Sequence, residues 1–198
     1  MSTSTKYDFG MIGLGVMGRS LLLNMGDHGV KGAGFDLDAA KGQALEQEST
    51  NGNLKGFSDI KEFVASLNTP RAIMMLVPAG KIVDDVIEEL LPLIDKGDLI
   101  IDGGNTYYTD TNRRFEYLNS KGIHFFGMGV SGGEEGARRE IDLTSIFTAS
   151  AGRFSWMRMT ASVFFASRKL DSTSIARRAA ASAFGSRHSA ALRLQKSR

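Results

Sequence analysis

Apolar and polar positions alternate in blocks along the first 139 residues. Residues 7–14 form a short apolar run ending in glycines, the pattern of a buried strand. Residues 17–28 put Leu21, Leu22 and Met25 on one helical face, and Gly29 sits where that helix would stop. Residues 32–37 predict a second strand, 39–47 a short helix and 53–57 a weak strand. Ser58 is read as the cap of a further helix reaching Leu67, and residues 71–77 as a central strand. The clearest helix spans 81–94, where Ile82, Val83, Val86, Ile87, Leu90, Leu91 and Ile94 recur at helical period. Pro92 bends its last turn or ends it early. Residues 98–102 give another buried strand, 110–120 another helix and 123–128 a sixth strand.

Strand–helix alternation repeated this often implies right-handed crossovers and a parallel sheet covered on both faces. The expected fold is a doubly wound α/β domain over residues 1–139. The pattern ends there. Residues 1–139 carry 14 Lys and Arg against 19 Asp and Glu, a net −5, whereas residues 140–198 carry 10 against 3, a net +7. Glycine divides as sharply, 21 of 23 lying before residue 140, while the remainder holds 11 Ser, 11 Ala and 8 Arg. Without a sustained apolar stripe to dock on a sheet, residues 140–198 are expected to form a weakly structured basic tail.

Composition excludes several chemistries. The absence of cysteine removes disulfides, Cys-based zinc sites, iron–sulfur clusters and a cysteine nucleophile. Apolar runs such as residues 72–77 fall far short of the ~20 residues a membrane span requires. The first six residues lack the apolar stretch of a secretory signal, so a cytoplasmic protein without a membrane partner is expected.

Gly13-Leu14-Gly15-Val16-Met17-Gly18 closes the first predicted strand and opens the first helix. In that context a GxGxxG permits a tight turn and close backbone approach to a pyrophosphate, which a helix N-terminus stabilises. The alternative is a glycine turn that only packs strand to helix. Asp36 lies 23 positions after Gly13, near the ~20 expected of an acid that binds an adenosine ribose and repels a 2′-phosphate. It can also be read as a solvated turn residue. Lys41 is the nearby cation within reach of a 2′-phosphate, or equally a solvated helix residue.

Three further segments carry a family resemblance: Leu76-Val77-Pro78-Ala79-Gly80, Ile101-Asp102-Gly103-Gly104-Asn105-Thr106, and the glycine-rich residues 127–139. Together with residues 12–18 and 24–29 they resemble 6-phosphogluconate dehydrogenase of the decarboxylating type, in order, over roughly residues 7–139. The resemblance implies a Rossmann-type dinucleotide-binding domain of an enzyme that oxidises 6-phosphogluconate at C3, passes hydride to NADP and releases CO₂ and ribulose 5-phosphate. It implies that Gly13, Leu14, Gly15, Val16, Met17 and Gly18 cradle the pyrophosphate. Val77, Pro78 and Ala79 would line the path to the nicotinamide. Asn105 would contact both cofactor and sugar acid, and Ser131, Gly132 and Gly133 would hold the substrate.

The sequence departs from the family twice. Where a typical member has Asn-Arg-Thr after the second strand, this chain has Asp36-Leu37-Asp38, although Lys41 matches a family lysine. The Arg that pairs with the 2′-phosphate is thus replaced, and NAD becomes an alternative to NADP. After Arg139 the family pattern does not return. The family's catalytic lysine, its acidic partner and most of the substrate pocket belong to the part not matched. Lys169 lacks the matching neighbours, so no catalytic residue is assigned. The expectation is a domain inactive alone and, without the family's dimer interface, monomeric.

Residues 140–198 are read as a shifted frame or read-through, with a purposeful basic appendage as the rival. Their arginines are scattered, Arg177-Arg178 being the one adjacent pair, so no specific nucleic-acid partner is expected.

Overall fold

The computed structural model describes residues 6–130 and 133–139; the expectation for residues 140–198 lies outside them. Six strands form one parallel sheet: β1 (Phe9–Ile12), β2 (Gly32–Phe35), β3 (Leu54–Phe57), β4 (Ala72–Met75), β5 (Leu99–Asp102) and β6 (His124–Gly127). The helices between and after them are α1 (Val16–Asp27), α2 (Ala39–Glu48), α3 (Ile60–Ala65), α4 (Lys81–Leu90), α5 (Tyr108–Ser120) and α6 (Gly133–Arg139). The strand order is β3-β2-β1-β4-β5-β6, so the winding reverses between β1 and β4. Gly10, Met11 and Ile12 pair with Ile73, Met74 and Met75 across that junction.

Because side chains alternate along a strand, each central strand feeds two cores. Phe9, Met11, Ala72, Met74, Leu99 and Ile101 pack with Leu21, Leu22 and Met25 of α1 and Ala137 of α6 on one face. Ile12, Ile73, Met75 and Ile100 pack on the other with Phe63 of α3, Val83, Ile87 and Leu90 of α4, and Leu118 of α5. Near-continuous apolar strands are what burial on both faces requires. The doubly wound α/β expectation therefore holds. Among the described residues, no helix is long and apolar enough to cross a membrane.

Local differences from the sequence reading have simple causes. The cap of α3 is Asp59, not Ser58: its carboxylate accepts the N–H groups of Lys61 and Glu62 at 2.8 and 2.9 Å. α4 stops at Leu90, two residues before Pro92, so the proline ends the helix early. α5 starts at Tyr108, ahead of the expected Asp110. α6 was not anticipated, since its glycine-rich approach reads as a loop; Glu134 and Glu135 in its first turn suit a helix N-terminus.

Candidate functional site

Four loops leave the C-terminal ends of β1, β2, β4 and β5, around the reversal of strand order where open α/β sheets bind ligands. They carry Gly13 to Gly18, Asp36 with Lys41 just beyond on α2, Val77 to Ala79, and Asn105, so the fold brings these sequence-predicted residues to one end of the sheet.

The glycines of the first loop are not equivalent. Gly13 has φ +92°, and a Cβ there would lie 2.4 Å from the Leu76 carbonyl oxygen. A Cβ on Gly18 would lie 1.9 Å from the Gly13 carbonyl oxygen, so this residue allows α1 to pack onto the loop. At Gly15, the N-cap of α1, a Cβ would meet nothing within 4 Å. No side chain caps α1 and no acid stands in its first turn. Backbone N–H groups at a helix start, with open space before them and no competing carboxylate, suit a pyrophosphate.

Asp36 is held rather than solvated, with its side chain 12% exposed. Its Oδ2 accepts the Leu14 N–H at 2.9 Å, and its Oδ1 accepts the Asp38 N–H at 3.0 Å. Lys41 Nζ lies 3.1 Å from both carboxylate oxygens. Partial burial works against ionisation, but the bonds from Asp38, Leu14 and Lys41 outweigh it and hold the pKa below the usual carboxylate value. The nearby cation is thus engaged by Asp36 itself. Leu37, next in sequence, is 86% exposed.

On the other side of the reversal, Val77 is half-buried and Pro78 and Ala79 are exposed, before Gly80 caps α4 with φ +97°. Asn105 projects from the neighbouring loop, exposed. Asp102 shapes that loop: Oδ1 accepts the Gly104 N–H at 3.0 Å and Oδ2 accepts the Thr106 hydroxyl at 2.7 Å. Gly133 opens α6 with φ +64°, whereas Ser131 and Gly132 lie outside the described residues.

Sequence reasoning missed Asp102, Asp84 and Arg114 as parts of the site's frame. Two signals were present. Asp102 is a charge ending an apolar run, and Arg114 stands four residues before Leu118 on the core-facing side of its helix. Arg114 is 1% exposed and donates from Nε to Asp84 Oδ1 at 2.8 Å. Its bond, with that of Arg113 and against partial burial, lowers the Asp84 pKa to about 2.

Residues 8–160 match the model of the NAD-binding domain of 6-phosphogluconate dehydrogenase. The decarboxylating 6-phosphogluconate dehydrogenase of Chlamydia muridarum is 51% identical over 133 residues, and that of Homo sapiens 52% identical over 134. In each case the match covers 67% of this chain and 28% of the relative, so the chain spans about 28% of the length of these curated relatives. The solved Plasmodium falciparum 6-phosphogluconate dehydrogenase, studied apo, with its cofactor NADP⁺ and with its substrate 6-phosphogluconate, is 37% identical with a TM-score of 0.63, over 66% of this chain and 28% of that one. A Mycobacterium tuberculosis 3-hydroxyisobutyrate dehydrogenase, at 22% identity and TM-score 0.60, shares the fold.

Proposed function

The chain belongs to the family of NAD-binding domains of 6-phosphogluconate dehydrogenase, and we propose that it binds a nicotinamide dinucleotide across the β1/β4 reversal as the cofactor-holding portion of such an enzyme. The observation that carries this reading is the open backbone at Gly15, at the start of an uncapped α1 and beside the anchored Asp36. Gly13 to Gly18 hold the pyrophosphate, Asp36 takes the adenosine ribose, and Val77, Pro78, Ala79 and Asn105 border the nicotinamide. When bound, the nicotinamide ring supplies hydride acceptance. The oxidation it serves is that of 6-phosphogluconate, a substrate held through Asn105 and the segment at Ser131 to Gly133.

Between the two dinucleotides the residues after β2 favour NAD. An ionised Asp36 accepts ribose hydroxyls and repels a 2′-phosphate, Lys41 is already paired with it, and Leu37 offers no charge. Among the described residues, two carboxylates at this end of the sheet have structural partners: Asp36 holds the glycine loop, and Asp102 is buried against Thr106 and Gly104. Neither is placed to take a proton from a sugar hydroxyl, and the reading is of a portion that binds cofactor without turnover alone.

Isothermal titration of a folded sample with NAD and NADP tests the reading. Binding with NAD the tighter ligand is expected; heat from neither dinucleotide overturns it. Turnover of 6-phosphogluconate by this chain, comparable with a full-length relative assayed beside it, would overturn the non-catalytic part.

A further inference from the structure

We propose that Arg114 is a positioning residue that locks together the two loops bordering the nicotinamide end of the site, an inference that rests on the dinucleotide-binding reading. Its guanidinium reaches three elements. Nε and Nη2 grip Asp84 of α4 at 2.8 and 3.1 Å, and Nη2 also donates to the Gly80 carbonyl at 2.9 Å. Nη1 faces Asp102 Oδ2 of β5 across 3.6 Å and is buried with no hydrogen-bond partner.

Each contact bears on a loop rather than on the core. Gly80 ends the Val77-Pro78-Ala79 segment at positive φ, so its carbonyl sets where that segment turns into α4. Asp102 holds Gly104 and Thr106, the residues on either side of Asn105. The two loops also run close together, for a Cβ on Gly104 would lie 3.2 Å from the Val77 carbonyl oxygen. One planar, permanently charged fork therefore fixes the separation between Val77–Ala79 and Asn105, between which the nicotinamide would sit. Arg114's own hydrogen bonds and ion pairs go to Asp84, Gly80 and Asp102 and not to Asp36 or the Gly13–Gly18 loop, although Val77 packs beside Gly13, where a Cβ would lie 3.3 Å from Val77 Cγ1. Loss of the guanidinium is therefore expected to act on the nicotinamide half of the site rather than on the adenosine half.

That asymmetry supplies the test. The affinities of NAD and of ADP-ribose, which lacks the nicotinamide, are measured by titration for the full 198-residue chain and for Arg114→Gln, Arg114→Lys and Thr106→Val. For Arg114→Gln, NAD affinity falls about tenfold while ADP-ribose affinity is unchanged. Arg114→Lys restores part of the loss, because it keeps the charge opposite Asp84 but cannot also reach Gly80 as a fork. Thr106→Val removes one hydroxyl without burying a bare charge, and its expected loss is likewise confined to NAD; this variant carries the test if Arg114→Gln does not fold. Equal losses for both ligands, or no loss, overturn the proposal while leaving dinucleotide binding intact. Failure of the unaltered chain to bind either ligand overturns the underlying reading and this proposal with it.

Discussion

The N–H of Leu14 donates to Oδ2 of Asp36 at 2.9 Å across 22 positions of sequence, making the glycine loop after β1 and the acid after β2 one hydrogen-bonded unit. On the proposed reading Asp36 has two tasks, bracing the glycine loop through one oxygen and presenting charge to the ribose. Lys41 is drawn into the same unit at 3.1 Å. Replacing Asp36 by Asn separates the tasks. The amide oxygen still accepts the Leu14 N–H, the negative charge is lost and Lys41 is released. The NADP-to-NAD affinity ratio is expected to rise about tenfold or more, since one unit of repulsion near a phosphate is worth at least that. Titration of both dinucleotides against Asp36→Asn measures it, and an unchanged ratio would contradict the role given to the acid.

The glycines of the same loop predict opposite outcomes. At Gly18 an added methyl meets the Gly13 backbone at 1.9 Å, so Gly18→Ala costs about 1–3 kcal/mol or more of stability through overpacking. At Gly15, with φ −62°, the methyl meets only open space, and Gly15→Ala keeps the parent's thermal midpoint. Dinucleotide binding is nevertheless expected to weaken in Gly15→Ala, because on the proposed reading the methyl stands where the pyrophosphate approaches. Thermal unfolding paired with titration separates the two; a Gly15→Ala protein that binds normally would place the phosphates elsewhere.

Acid sensitivity follows from Asp84. Its folded pKa of about 2 lies below the ordinary carboxylate value of about 3.9, so its stabilising contribution is complete above that ordinary value. The contribution is lost as pH falls from about 4 to about 2, when Asp84 is protonated in the unfolded chain first and in the folded chain last. Asp84→Asn is less stable than the parent at neutral pH, and the difference shrinks across that window. Urea midpoints for both proteins at a series of pH values provide the comparison. A constant difference would show that Asp84 does not titrate with folding.

Much of this was legible in the chain. Period decided the elements: the recurrence from Ile82 to Leu90 gives α4, and the apolar blocks at residues 72–75 and 99–101 give strands buried on both faces. The glycine loop between β1 and α1 was legible because its glycines must satisfy close local contacts, Gly18 against Gly13 being five positions apart. Contacts that depend on the finished fold were not legible. Arg114 meets Asp84 across 30 positions, and its place four residues before Leu118 marks a core-facing charge without naming its partner. Lys41 reads as a free cation until the β2–α2 turn places Asp36 beside it.

The docking of α6 makes a final prediction, in which burial rather than charge decides. Among the contacts that tie this helix to α1 are a buried hydrogen bond and an exposed ion pair. Asn24 Nδ2 donates to the Ala137 carbonyl at 3.2 Å, and Arg138 pairs with Asp27 at 2.6 Å. The ion pair has the shorter distance, but its side chains are 35% and 36% exposed, and pairs of that kind contribute about 0–1 kcal/mol. Asn24 is 2% exposed and Ala137 is fully buried, so losing the amide removes a hydrogen bond made away from water together with the packing of a buried side chain, at a cost of about 1–3 kcal/mol. Asn24→Ala is therefore expected to destabilise the domain well beyond Arg138→Ala in urea unfolding, despite removing no charge. The reverse order would mean that α6 is held at its surface rather than through its buried face.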